Sequence, residues 1–197
     1  DQLKAVRTPD KTATHTPIPH SLLVSKARTA LGKAGFSITE EEHALARGGQ
    51  RYFGGFALRG EGITGDDRRL VFGLRNSSDK STAASACMGN SMLVCDNMCF
   101  SSDVKLARRH TVNILRDLDG MLAKAISRIR SSWADMGQRI EAYKEAEISP
   151  EVASNLAVDL AECKALPERD VYKTVKEFRD PRHPEFRGNT LWNLYNA

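Results

Sequence analysis

Eight apolar residues, Leu115, Leu118, Leu122, Ile126, Ile129, Trp133, Met136 and Ile140, follow one another at intervals of 3, 4, 4, 3, 4, 3 and 4. Those intervals keep one face of an α-helix continuously apolar, and a helix with such a stripe must bury it against a second layer. Asp103 is placed to cap this helix, which is expected to run to about Lys144. Lys105, Arg109, Arg116, Lys124, Arg128 and Arg139 fall on the opposite side, with Asp117 and Asp135 interrupting the basic row. A solvated face accounts for the middle and end of that row. Arg108 and Arg109 stand apart, because they lie at the positive end of the helix dipole beside polar loops.

The second layer is legible upstream. Residues 20–34, HSLLVSKARTALGKA, are expected to form a helix that Gly35 stops. Phe36 to Arg47 reads as a strand, Gly48-Gly49 as a hairpin turn and residues 50–59 as the returning strand. Gly54-Gly55 inside that strand points to a bulge or a close backbone approach. GEGITGDDRR (60–69) reads as a loop, RLVFGLR (69–75) as a third strand, 81–89 as a short helix rich in Ala, and SMLVCDNMCF (91–100) as one strand or two short ones. Downstream, Ser149 caps a helix with Pro150 at its first position, and Pro167 opens another that ends near Arg179. The tail holds Leu191, Trp192, Leu194 and Tyr195, a cluster that should dock on the body or on a partner.

The sequence therefore predicts an α+β fold, an antiparallel sheet packed by a long helix with a C-terminal helical region. The expected organisation is an extended arm over 1–19, a core over 20–146 and a helical region over 147–197. A hydrophobic share of 41% can supply one core at this length. No apolar run approaches the roughly 20 residues that span a bilayer, and the first residues lack the apolar centre of a signal peptide. The expectation is a cytoplasmic protein with no membrane partner. Cys87, Cys95, Cys99 and Cys163 are read as reduced thiols, and Cys95-x3-Cys99 lacks partners for a zinc set.

The net charge of +4 is unevenly placed. Residues 103–130 carry seven Lys/Arg against three Asp, whereas 141–170 carry three against eight Asp/Glu. A basic stretch beside polar loops suits an anionic partner. In residues 72–110 the polar positions sit at the ends of apolar segments, where loops present side chains to ligands. Arg68, Arg69, Arg75, Lys80, Lys105, Arg108 and Arg109 are candidates to neutralise phosphates. Tyr52, Phe53, Phe56 and Phe100 are candidates to stack on unpaired bases, against core burial as their commoner use. His110 is open to three readings: a base, a phosphate contact, or a histidine satisfied within the fold. There is no phosphate-binding Gly-Lys-Ser/Thr loop, no dinucleotide fingerprint and no Gly-x-Ser-x-Gly elbow. Asp66, Asp67, Asp79 and Asp96 have no spacing that demands a divalent ion, and loop Asp residues commonly make turns.

Three segments, RNSSDKS (75–81), LVCDNMCF (93–100) and ARRHT (107–111), resemble the phage- and plasmid-borne family known as domain of unknown function 932. GFSITEEEHALARGGQRYFGGFAL and LWNLYNA fit the same pattern, so the resemblance covers most of residues 25–197. The family carries no assigned activity; its mobile-element carriers imply DNA processing, recombination or conflict with a host. The element order also looks similar to phage single-strand annealing proteins of the RecT/Redβ kind, a likeness of topology alone.

These readings combine into one expectation, a non-catalytic protein without cofactor or metal. It binds single-stranded DNA, promotes annealing, and assembles as a homo-oligomer in rings or filaments. Arg75, Asn76, Lys80, Asn97, Lys105, Arg108, Arg109 and His110 are the expected nucleic-acid contacts, with Asn76 and Asn97 orienting the loop or bonding to the strand. Two rivals stand beside it. One is a factor that antagonises a host protein through Trp192, Leu194 and Tyr195. The other is a metal-dependent nuclease using Asp79.

Overall fold

In the computed structural model, residues 2–63, 68–92 and 98–197 are described, and so are their side chains except at 90–105. The chain divides into two compact units, 1–133 and 134–197.

The first unit is built on a five-stranded antiparallel sheet of order β1-β2-β3-β4-β5. Its strands are β1 (Ser37–Ala46), β2 (Arg51–Arg59), β3 (Arg68–Ser77), β4 (Ala84–Met92) and β5 (Met98–Arg108). Every connection is between sequence neighbours, as short antiparallel turns permit. A short helix α1 (Gln2–Ala5) opens the chain; α2 (His20–Lys33) precedes the sheet and α3 (Ile114–Ser127) follows it. α2 meets β1 and β3, α3 meets β4 and β5, and the two helices touch each other. Both therefore cover one face of the sheet.

Strand alternation makes that face apolar. Across the sheet, Phe56 pairs with Phe72 and Phe72 with Met88, all with no exposed surface. Leu23, Ala27 and Leu31 of α2 and Leu118, Leu122 and Ala125 of α3 close over them, equally buried. Gly54 lets Tyr52 lie flat on this face, because a Cβ at Gly54 would overlap the Tyr52 hydroxyl. The close backbone approach expected at Gly54-Gly55 is thus a ring packed over the strand.

Two expected elements differ. Residues 84–92 are strand, not the Ala-rich helix expected over 81–89, because Ala84, Ala86 and Met88 alternate into the core with no exposed surface. Residues 98–108 are β5, so Asp103 caps nothing and the helix begins at Ile114. The long helix is bent into α3 and α4 (Ile129–Glu145). Ser127 and Ser131 donate their hydroxyls to the carbonyls of Lys124 and Arg128, the back-bonding that loosens a helix at that point. The apolar stripe survives the break: Leu118, Leu122, Ile126, Ile129, Trp133, Met136 and Ile140 are all buried. Leu115 is exposed instead, and Ile114 takes its place.

The second unit contains α5 (Pro150–Glu162), α6 (Val171–Arg179) and α7 (Leu191–Tyr195). Ser149 caps α5 by accepting from the Val152 amide. Thr190 and Asn193 form a reciprocal capping box on α7. Ala153, Phe178 and Leu194 form its core, so part of the apolar tail docks on its own unit.

Candidate functional site at one end of the sheet

The β1–β2 turn, the β3–β4 turn and the exit of β5 lie at the same end of the sheet, as the register Ala46↔Arg51↔Ser77 and Ala84↔Arg108 requires. The segment that leads into α2 crosses this end. Two layers are built here, a buried network and an exposed basic rim.

Asn76 is the centre of the buried layer, with no exposed surface. Its amide nitrogen donates to the Ile18 carbonyl at 2.9 Å and meets His20 Nδ1 at 2.9 Å, while its oxygen meets His110 Nε2 at 2.7 Å. The hydrogens follow from this bonding. Nδ1 of His20 accepts, so its Nε2 carries the proton and donates to the Gly49 carbonyl at 2.9 Å. His110 donates from Nε2. His15 sits beside His110, ring centroids 5.3 Å apart, and its Nε2 is buried without a hydrogen-bond partner. His20 stacks on Tyr52 at 5.4 Å, and the Tyr52 hydroxyl bonds to His43 Nδ1 at 3.0 Å. Glu41 holds the other ring nitrogen of His43 and pairs with Arg28.

Burial makes His20 and His110 poor bases. His110 is pushed down to about 4 by desolvation and by the neighbouring His15 and His20. His20 is lowered by desolvation against a smaller opposing effect of its bond to Gly49. Burial likewise drives the Tyr52 hydroxyl well above its ordinary value. Glu41 is lowered by its bond from Arg28.

The RNSSDKS segment supplies the turn itself. Ser77 Oγ donates to the Thr82 carbonyl and accepts from the Thr82 amide, closing the loop on itself. Asp79 accepts from the Ser81 amide and from Arg51 Nε, the latter at 2.7 Å. Bonds from the Ser81 side chain and amide, with a smaller effect of Arg51, hold it well below the usual carboxylate range. Ser78 donates its amide to Gln50 O, tying this turn to the β1–β2 turn. Lys80 and Arg47, in those two turns, both take left-handed backbone conformations, φ 64° and 55°. Such geometry costs an L-residue about 1 kcal/mol or more and is found mostly where the rest of the fold imposes it.

The rim is formed by Arg47, Arg75, Lys80 and Arg109, all exposed. None of the four makes an ion pair among the described residues. Arg75 is directly opposite Phe53 on β2 and Ser85 on β4. Their alternation puts them on the sheet face away from α2 and α3, where Phe53 keeps 39% exposure.

The expected contacts therefore separate. Arg75, Lys80 and Arg109 are exposed at this end. Arg108 is two strands from Asn76 on the helix-covered face and pairs with Asp117. Arg75 and Arg108 thus project from opposite faces. Asn76 and His110 are buried and bond to each other. Asn97 lies outside the described residues, as does the side chain of Lys105, whose backbone pairs with Cys87. Tyr52 and Phe56 are buried, and the Phe100 side chain lies outside the described residues. His15, His20 and Tyr52 were not singled out as one site by their sequence positions.

The pattern that defines the domain of unknown function DUF932 matches residues 11–197. The chain belongs to this family. The match takes in the arm from Lys11, the RNSSDKS turn, the β5 exit and the C-terminal unit together. No curated protein and no solved structure matches the chain. Among the described residues no group of three or more His, Cys, Asp or Glu could hold a metal ion, and no helix is long and apolar enough to cross a membrane.

Proposed function

We propose that this DUF932 chain binds single-stranded DNA at the turn end of its sheet, without catalysis, and promotes strand annealing. The observation that carries this reading is the Phe53–Arg75 pair: an exposed ring and an exposed guanidinium, directly cross-strand on the face away from α2 and α3. Base–aromatic stacking is tolerant of sequence, and a cation beside the ring neutralises the phosphate that follows the stacked base. Arg47, Lys80 and Arg109 extend the positive rim along adjoining segments, which suits a backbone that crosses the sheet end. Assembly into rings or filaments would align several such rims along one strand. Trp192 and Leu194 are 7% and 6% exposed, so the apolar tail offers a host protein little beyond Tyr195.

The test is fluorescence anisotropy with a labelled oligonucleotide across a salt series. Affinity is expected to fall steeply with salt, and Arg75→Ala with Lys80→Ala to reduce both affinity and salt slope, by about one counterion per lost phosphate contact. Phe53→Ala is expected to weaken binding by about 1–3 kcal/mol with the slope unchanged. Absence of binding at low salt would overturn the reading. Light scattering with and without the oligonucleotide reports the assembly.

A further inference from the structure

We propose that His15, His20 and His110 form an acid-opened latch that holds residues 12–19 across the turn end of the sheet. The latch ties four segments at one point. His20 Nε2 donates to Gly49 of the β1–β2 turn, Asn76 of β3 donates to Ile18, and His110 at the β5 exit donates to Asn76. The amide of Thr16 then donates to the His110 carbonyl at 2.9 Å, closing the arm onto the β5 exit.

The contact in which His20 accepts from Asn76 depends on a neutral ring. Protonation of His20 falls on Nδ1, the atom that accepts from Asn76, and turns an acceptor into a donor facing a donor. Protonation of His110 leaves its bond to Asn76 in place but sets a buried charge against the His15 ring. Little nearby compensates that charge. The arm contributes His15, α2 contributes His20, β2 contributes Tyr52, and β3 contributes the neutral Asn76. Beside His110, Arg109 is exposed and Arg108 is held by Asp117 of α3. Asp79 is held by Arg51, and Glu41 by Arg28 and His43. Among the described residues, no carboxylate bonds to any of the three rings. Acid is therefore relieved only by exposing them, which frees the arm and the carbonyls it ties.

Opening also unties the turns that carry Arg47 and Lys80 and the β5 exit that carries Arg109. This consequence rests on the proposed DNA-binding role of the rim. It has a distinctive sign: added positive charge alone would tighten DNA binding in acid, whereas an opened latch loosens it.

The latch is tested on the full chain without DNA, by hydrogen exchange of the Thr16 amide at pH 7.5 and 5, corrected for the intrinsic rate. One imidazole lowered from 6.5 to about 4 predicts a loss of protection of roughly 30-fold at pH 5. A His20→Gln, His110→Gln variant, which keeps an amide donor and acceptor at each site but cannot titrate there, is expected to retain protection at pH 5. Equal protection of the wild type at both pH values would overturn the latch, as would a folded Gln variant that opens like the wild type. If the variant does not fold, proton NMR of the wild-type rings decides. Titration of His110 well below 6.5 together with arm release supports the latch, and titration near 6.5 with an unmoved arm overturns it. DNA binding with pH-insensitive exchange would sink the latch alone, and pH-dependent exchange without DNA binding would sink the proposed function alone.

Discussion

Asn76 shows how much one side chain organises here. It saturates both amide hydrogens and its oxygen with partners 58, 56 and 34 residues away in the chain. Replacing it with Leu keeps the volume but leaves the Ile18 carbonyl and two buried ring nitrogens without partners. Each such loss costs about 1–3 kcal/mol, so Asn76→Leu is expected to destabilise the protein by about 3 kcal/mol or more, measured by urea unfolding. An Asn76→Leu protein as stable as the parent would mean that the network carries little. The sequence marks Asn76 as an expected nucleic-acid contact that orients the loop or bonds to the strand, but gives no sign that it is the centre of a buried network. Its partners are separated by whole elements, and a hydrogen bond between distant residues leaves no local trace. The same holds for the histidines, which look dispersed in the sequence. Three of them meet because the arm, the start of α2 and the end of β5 share one end of the sheet.

At the scale of elements, the helix signals of this sequence are more legible than those of the β4–β5 hairpin. The apolar stripe gave the buried face of α3 and α4, and Ser149-Pro150 gave the start of α5. The cap makes a direct prediction. Ser149→Ala removes the acceptor for the Val152 amide and is expected to cost about 1 kcal/mol, seen as a lower melting temperature with unchanged helical content at 25 °C. Three alanines, Ala83, Ala84 and Ala86, suggest helix where the structure has β4. The segment ASACMGNSM nevertheless alternates small apolar and polar residues, a period-2 pattern that suits a strand between two neighbours. The start of the long helix was misplaced for a related reason. Residues 103–108 are Asp, Val, Lys, Leu, Ala and Arg, of which only Val104 leans toward strand, and pairing with β4 makes the segment β5. Helix caps act within one turn, whereas strand pairing depends on a neighbour elsewhere in the chain.

For the whole molecule, the buried imidazoles set how stability depends on pH. His110 has a folded-state value near 4 against an ordinary 6.5, and His20 is also lowered. The unfolded chain therefore takes up protons first as pH falls. The stabilisation from neutral rings is complete above about 6.5 and is lost progressively as pH falls toward 4. His110 alone accounts for about 3 kcal/mol over that window. Unfolding free energies measured at pH 7.5, 6, 5 and 4 are expected to decline, and His110→Gln to flatten the profile. A flat wild-type profile would contradict the burial described here.

The sequence by itself determined the α+β class, the β1–β3 meander, the amphipathic helix, the capped C-terminal helices and the basic excess near the β5 exit. These follow from periodicity, turn residues and charge, which act over a few neighbouring residues. Only the tertiary structure decided which polar residues face solvent and which are buried. Adjacent strand residues point to opposite faces, so Arg75 joins Phe53 in the open while Asn76 joins His20 and His110 in the interior. The cluster exists because strand pairing and the path of the arm bring together side chains that the chain order keeps apart.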